Sequence, residues 1–259
     1  MVDLEERLTL TLEFSKYHGL SNDFLLVYEQ EVDGDLARSM CERYAGVGAD
    51  GVIVIKRSTT ADFTFTLFNA DGGVAEVSGN GLRCVGKYLY EKGLHDSPIL
   101  NIEAAGEVKV LELDIQDGTV MSVRADMGLP KEEGEVELHG LVWKLINTGN
   151  PHAVTVVDDI DAAPVTTLGP LIENDPMFPD RTNVEFIKVV GEVVHARFWE
   201  RGVGVTMASG TGSCASLVAS GLKKGTVRTL GGDLLIELDP TGRLFMRGPA
   251  VHVFDGRLT

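Results

Sequence analysis

The chain has 259 residues, of which 44% are hydrophobic and 24% are charged, proportions typical of a globular protein. Its formal net charge of −16 argues against nucleic acid or an anionic membrane surface as a partner, because both would repel it. The three cysteines are an odd number, too few for a disulfide framework, and they lack metal-ligand spacing. We therefore expect reduced thiols and no metal site.

The N-terminal segment, residues 1–7, is acidic and lacks the basic and apolar regions of a signal peptide. No later stretch has the length and apolar character of a membrane span, so we expect a cytoplasmic protein. Alternating apolar residues predict a first strand over residues 8–14, followed by a polar turn. In that turn His18 is interpreted as structural, and Asn22 as a candidate for binding.

A helix ending near Tyr44 and a glycine-rich turn at residues 46–51 come next. This turn precedes a strand, residues 52–55, whereas a phosphate-binding loop follows a strand and opens a helix. The nucleotide interpretation is therefore rejected. A strand over residues 63–68 then delivers Asn69 just before the next helix.

The motif Ser-Gly-Asn-Gly at residues 78–81 returns as Ser-Gly-Thr-Gly at residues 209–212. Each copy opens a segment with apolar residues at helical spacing, and the two helices are predicted to end at Gly93 and Gly225. A helix N-terminus leaves backbone N–H groups unpaired and carries a partial positive charge. Each copy therefore predicts a seat for a carboxylate or a phosphate.

The two motifs are 131 positions apart, close to half the chain, and further landmarks repeat near this spacing. Asn150 lies in a turn 128 positions after Asn22, and the strand at 63–68 returns at 194–199. We predict an α+β fold of two pseudo-symmetric lobes, each a β-sheet wrapped around a central helix. The N-terminal lobe is predicted to span residues 1–119, with a C-terminal strand near 248–259 packed on it, and the C-terminal lobe to span 120–247.

The remaining strands follow from alternating patterns bounded by turn residues. In the first half they are predicted at 99–103, 108–113 and 120–125, with turns at Ala105-Gly106 and Asp117-Gly118. In the second half a strand through Val157 leads to a loop rich in Pro and Asp. The later strands are predicted at 183–187, 194–201, 234–238, 244–246 and 251–254.

A larger set of motifs resembles the diaminopimelate epimerases over essentially the full length of the chain. They are His18-Gly-Leu-Ser-Asn-Asp-Phe24, Gly46-Val-Gly-Ala-Asp-Gly51, Asn69-Ala-Asp-Gly72, Gly79-Asn-Gly-Leu-Arg-Cys84, Gly149-Asn-Pro-His152, Thr182-Asn-Val-Glu-Phe186, Glu200-Arg-Gly-Val-Gly204 and Gly210-Thr-Gly212. The resemblance implies an isomerase of lysine biosynthesis that converts LL- to meso-diaminopimelate without a cofactor. It also implies a ligand cleft between the two lobes and a small amino-acid substrate, and a homodimer is a candidate assembly.

The resemblance also implies roles for individual residues. In the family one catalytic cysteine from each lobe acts on each face of the α-carbon, and here Ser78 and Ser209 occupy those positions. A serine hydroxyl is a much poorer base than a thiolate, so we expect low or absent epimerase activity. His152 and Glu200 are implied to support the two acid/base positions. The residues implied to bind the substrate are Asn22, Asn69, Gly79, Asn80, Asn150, Asn183, Arg201, Gly210 and Thr211.

Three hypotheses remain open from the sequence. The chain is a diaminopimelate epimerase whose two cysteines were replaced, or a natural relative with other chemistry, such as a proline-type epimerase or a dehydratase. The third is a non-catalytic ligand-binding protein on the same scaffold. Whether the serines are natural or engineered is open as well.

Overall fold

The computed structural model of the chain describes residues 11–75 and 77–259. It contains two lobes of similar construction, each a β-sheet wrapped around one buried helix, which confirms the predicted α+β class. Residues 8–10 of the predicted first strand lie outside the described residues, and the strand itself begins at Leu12.

The elements of the first half follow in chain order. They are β1 (Leu12–Gly19), β2 (Asn22–Tyr28), α1 (Gly34–Cys41), β3 (Gly51–Arg57), β4 (Phe63–Asn69), β5 (Val74–Ala75), α2 (Gly79–Glu91), β6 (Ile99–Ala104), β7 (Glu107–Gln116) and β8 (Thr119–Gly128). The second half repeats this order. It contains β9 (Lys131–Leu138), β10 (Leu141–Asn147), β11 (Pro151–Val156), α3 (Val165–Glu173), β12 (Asn183–Val190), β13 (Val193–Glu200), β14 (Gly204–Thr206), α4 (Gly210–Ser220), β15 (Lys224–Arg228), β16 (Asp233–Leu238), β17 (Leu244–Gly248) and β18 (Val251–Leu258).

The strand pairings repeat as well. The antiparallel pair β1 and β2 continues into β3, which is parallel to β2, just as β10 and β11 continue into the parallel β12. Next, β4 pairs antiparallel with β3 and parallel with β6, and β13 makes the same two pairings with β12 and β15. The repeat seen in the sequence is therefore a repeat of topology.

The two sheets are joined by antiparallel pairing of β8 with β17. The chain crosses between the lobes twice, since β9 pairs with β10 and β18 pairs with β1. The predicted boundary at residues 119 and 120 falls beside the β7–β8 turn, and β8 pairs with β7 on one side and β17 on the other. That boundary stays a prediction.

The central helices have buried faces all round, because each is enclosed by its own sheet. In α2 every residue from Gly79 to Leu89 is buried, and α4 is buried along nearly its whole length. Helix α2 ends at Glu91 with Gly93 at φ +67°, close to the prediction. The predicted end of the second helix was wrong: Gly221 ends α4 in the left-handed conformation, and Gly225 lies in β15.

Other differences have local causes. The predicted Pro- and Asp-rich loop contains α3, whose interior Pro170 obscured the helical pattern. The charged segment beginning at Lys131 forms the largely exposed strand β9, which has few of the apolar residues that would have marked it. Helix α1 ends at Cys41, a few residues before the predicted end near Tyr44. No helix within the described ranges has both the length and the apolar character needed to cross a membrane.

Candidate active site

A cavity of about 900 Å³ lies where the N-termini of α2 and α4 meet, between the two lobes. All predicted site residues except His152 and Asn183 line it. Those that do are Asn22, Asn69, Ser78, Gly79, Asn80, Asn150, Glu200, Arg201, Ser209, Gly210 and Thr211. The topological repeat explains the convergence, because corresponding ends of the two lobes face each other across one cleft.

The two helix N-termini are nearly in contact. A Cβ atom added to Gly210 would stand 3.4 Å from the Gly79 Cα and 3.5 Å from the Asn80 backbone nitrogen. In the described part of the chain, no acceptor is found for the backbone N–H groups of Gly79, Asn80, Gly210 and Thr211. Unpaired N–H groups at two facing helix ends form a preorganised seat for an anion.

Ser78 and Ser209 are the N-caps of the two helices, in closely matching geometry. The Ser78 side-chain oxygen accepts from the N–H of Gly81 at 3.1 Å, and that of Ser209 accepts from Gly212 at 3.2 Å. Both residues have extended backbone, with φ of −117° and −124°. The structural role of a helix cap is thus fulfilled at both positions, alongside any chemical one.

Replacing either serine with alanine is expected to destabilise the fold by about 1 kcal/mol, because each change leaves an N–H group at a helix start without its partner. Urea unfolding of Ser78→Ala and Ser209→Ala measures this loss. Ser220→Ala is a suitable control, since Ser220 lies at the last residue of α4. Equal stability of all three variants and the parent would contradict the assigned caps.

The ionisable group nearest to a helix cap is Glu200, at the end of β13. The Ser209 hydroxyl donates to its Oε2 at 3.1 Å. Burial raises the pKa of Glu200, although the hydrogen bond from Ser209 acts in the opposite direction. At the corresponding position in the first half, 131 residues earlier, stands Asn69. The two halves of the cleft therefore match in backbone but differ in proton-handling groups.

Glu200→Gln is expected to stabilise the fold at neutral pH. Because the folded-state pKa of Glu200 is raised, the folded state binds the proton more tightly than the unfolded chain does. Stability is therefore lost as the pH rises through the window between the two pKa values, and the neutral amide avoids this loss. The difference in unfolding free energy between variant and parent should be larger at pH 7 than at pH 4, and an equal difference at both would contradict it.

His152 lies behind the cleft wall and not in it. Its side chain is 1% exposed, with Nδ1 at 2.7 Å from Glu185 Oε1 and Nε2 at 2.8 Å from Asn150 Oδ1. No hydrogen bond joins His152 to Ser78 within the residues described. The imidazole therefore reaches the cleft through Asn150.

Asn183 is also buried behind the cleft, and its amide serves the backbone. Its Oδ1 accepts from the N–H of Arg201 at 3.0 Å, and its Nδ2 donates to the carbonyl of Pro151 at 2.9 Å. In this structure Asn183 fixes the start of the turn that carries Arg201.

A hydrogen-bonded chain orders the N-terminal side of the cleft. The fully buried Arg83 donates from Nη2 to Asn80 Oδ1 at 2.8 Å, and Asn80 Nδ2 donates to Asn22 Oδ1 at 3.0 Å. Asn22 Nδ2 in turn donates to Asp50 at 2.8 Å. Since a guanidinium only donates, it sets the orientation of both amides. Burial lowers the pKa of Arg83 to about 10, so it remains charged at neutral pH.

Two arginines stand at the far end of the cavity. Arg201 donates from Nη1 to the carbonyl of Asp180 at 3.1 Å, which leaves its other donors free to meet a ligand. Arg181 also lines the cavity and pairs with the buried Glu173 at 3.1 Å. Its φ of +59° is unusual for a residue with a side chain. This end of the cleft is therefore cationic despite the strongly acidic chain.

Sequence reasoning missed Arg83, Arg181 and Glu185 as site residues, although each stands in or beside a quoted motif. The signal that could have found Arg83 is a charged residue on the buried stripe of a helix, three residues after Asn80. For Glu185 it is a carboxylate within the apolar run of a strand. His18 accepts from the N–H of Ser21 in its turn, at 3.3 Å.

Comparison with known proteins places this cleft in a family. The model of the family described as diaminopimelate epimerase matches residues 14–132 and 144–253. The chain belongs to the diaminopimelate epimerase family. It is 43% identical over 274 residues to the diaminopimelate epimerase of Moorella thermoacetica, covering 95% of this chain and 98% of that protein. It is 40% identical over 275 residues to that of Acetivibrio thermocellus, again covering 95% and 98%.

Solved structures show the same fold at much lower identity. A hydroxyproline epimerase from Agrobacterium vitis aligns with a TM-score of 0.74 at 16% identity, covering 96% of this chain and 92% of that one. A Bacillus anthracis protein of the phenazine biosynthesis PhzF family aligns with a TM-score of 0.71 at 17% identity, covering 96% and 99%. These likenesses establish the two-lobed architecture that the family shares with other epimerase-like proteins.

Proposed function

We propose that this chain binds diaminopimelate in the cleft between its lobes, and that the cleft is built to interconvert the LL and meso isomers without a cofactor. The observation that carries the proposal is the meeting of two capped helix N-termini, with Ser78 and Ser209 at their first turns. Family membership and relatives named diaminopimelate epimerase support the same activity.

The reacting carboxylate is proposed to lie on the N–H groups of Gly79, Asn80, Gly210 and Thr211. As one base removes the α-proton, negative charge spreads from the α-carbon into this carboxylate, where the N–H groups and helix ends stabilise it. A second group on the opposite face of the α-carbon then returns a proton, which inverts the centre. The opposed positions of Ser78 and Ser209 suit these two tasks.

The serines limit this chemistry. A thiol with a reference pKa of about 8.5 becomes a thiolate readily at a helix N-terminus, whereas a hydroxyl needs an adjacent base even to act as a nucleophile. Glu200 can serve Ser209 in that way, since it accepts the Ser209 hydrogen bond. Ser78 has only Asn69 at the equivalent position. We therefore propose that the chain binds its substrate well but turns it over slowly or not at all.

The distal end of the substrate is proposed to bind at Arg201, with Asn22, Asn69 and Asn150 completing the contacts. A guanidinium matches a carboxylate with two parallel hydrogen bonds. A proline-type substrate has no distal carboxylate, so the cationic end of the cavity favours diaminopimelate over that alternative.

Titration calorimetry of the unaltered chain tests the binding proposal. We expect saturable binding of LL- and meso-diaminopimelate and no measurable binding of proline. Binding of proline alone would favour a relative with other chemistry. Absence of binding by either ligand would refute the proposed function.

A further inference from the structure

A buried acid and base pair lies directly under the first turn of α4. Glu185 on β12 is fully buried, and its Oε1 is 2.7 Å from Nδ1 of His152 on the neighbouring strand β11. A Cβ atom added to Gly212 would stand 2.8 Å from this Oε1 and 3.0 Å from the Ser209 side-chain oxygen. The carboxylate thus sits within a few ångströms of a proposed catalytic position without touching the ligand cavity.

The first half of the chain carries no such pair. A Cβ atom added to Gly81 would meet Cδ1 of Ile53 at 2.9 Å, so Ile53 fills the place under α2 that Glu185 fills under α4. The strand registers agree, since Ile53 pairs with Leu67 and Glu185 with Phe198, which are 131 residues apart. An apolar residue therefore satisfies the packing at this point of the fold, and the carboxylate of Glu185 requires another explanation.

The hydrogen bonds of His152 supply one. Both ring nitrogens face oxygen atoms, those of Glu185 and of Asn150 at 2.7 and 2.8 Å. A neutral imidazole has one N–H donor, whereas an imidazolium has two, so this arrangement is fully satisfied only by the doubly protonated ring. With Oδ1 held by His152, the Asn150 amide nitrogen is directed to the hydroxyl of Thr211 at 3.4 Å.

The charges around the ring are few. Glu185 on β12 and Glu200 on β13 are the ionisable groups whose fields reach His152 in the described part of the chain. On β10, Lys144 donates its amine to the carbonyl of Ala219. Glu185 is the carboxylate in contact, and the second oxygen of that carboxylate, Oε2, has no hydrogen-bond partner among the described atoms.

We propose that Glu185 is a positioning residue that keeps His152 doubly protonated and thereby fixes the Asn150 amide with its nitrogen toward Thr211 and the ligand. The inference rests on the proposed function only in giving Asn150 a ligand to meet. It assigns the C-terminal lobe a fixed buried ion pair at the place where the N-terminal lobe uses Ile53.

Nitrogen NMR of the full chain labelled with 15N-histidine tests the proposal without any ligand. The His152 signals are identified by their loss in His152→Gln. In the unaltered protein at pH 7 we expect both ring nitrogens to show protonated-type shifts. In Glu185→Gln the proton affinity of His152 should fall about 10- to 1,000-fold, since the removed charge was in contact. Glu200→Gln is the matched control and should have the smaller effect.

A pyridine-type nitrogen on His152 in the unaltered protein would overturn the proposal, because it would mean that the Asn150 amide is reversed and the ring neutral. This spectrum decides the question even if Glu185→Gln does not fold. A variant whose His152 titrates as in the parent would overturn it as well. If the chain binds no diaminopimelate while the NMR result holds, the proposed function fails and the role of Glu185 toward His152 stands.

Discussion

Replacing both Ser78 and Ser209 with cysteine is expected to raise the rate of diaminopimelate epimerisation by at least about 10³-fold, since each positioned acid or base contributes about 10²- to 10⁴-fold. The helix N-termini that the two residues cap favour a thiolate, so the new thiols gain reactivity from the existing backbone. Initial rates from each isomer, followed by chiral chromatography, measure the gain. Each single replacement should recover far less, because the reaction needs one group on each face of the α-carbon.

The chain's own cysteines provide the control. Burial raises the pKa of Cys84 and of Cys214 to about 12, so neither is a thiolate at neutral pH. Replacing both with alanine in the doubly substituted protein should leave the activity per folded molecule unchanged. If activity were lost with them, or if the two new cysteines gave no increase, the assignment of positions 78 and 209 would be wrong.

Arg201→Met is expected to weaken the binding of meso-diaminopimelate about 10- to 100-fold, in line with the loss of hydrogen bonds to a charged group. Lysine has the same chain without the distal carboxylate, so its affinity, measured by the same calorimetry, should change little. Comparing the two ligands in parent and variant isolates the contact with the distal carboxylate. An equal loss for both would show that Arg201 acts on the fold of the turn and not on that carboxylate.

The elements that the sequence predicted well are those with a strong local signal. Hairpin turns at Ala105-Gly106 and Asp117-Gly118 have positive φ at both residues, as their residue types suggest. The capping serines of α2 and α4 were recognisable because serine and the glycines that follow it are typical of a helix start beside a ligand. The repeat of 131 residues then fixed the two-lobed arrangement.

The features that could not be predicted depend on contacts across the chain. Strand β9 is an exposed edge strand whose partner β10 belongs to the other half of the repeat, and nothing in its own composition marks that pairing. The positions of His152 and Asn183 behind the cleft wall follow from the parallel register of β11 and β12. Periodicity alone does not provide such a register.

The same limit applies to the buried charges. Arg83 packs against Gly19 and Gly248, where added Cβ atoms would approach the guanidinium to 2.8 and 3.2 Å. These glycines are far apart in sequence, so the space made for Arg83 becomes visible only in the folded chain. The repeat predicts two equivalent half-sites, whereas the structure places Arg83 under one and the Glu185 and His152 pair under the other.

The measurement that tests the central claim most directly is α-proton exchange in deuterated water, followed by NMR for LL- and meso-diaminopimelate with this chain and with its Ser78→Cys/Ser209→Cys variant. We expect rapid exchange with the variant and little or none with the unaltered chain. Binding without exchange in both proteins would contradict the claim that the cleft is an epimerase site that lacks only its two bases.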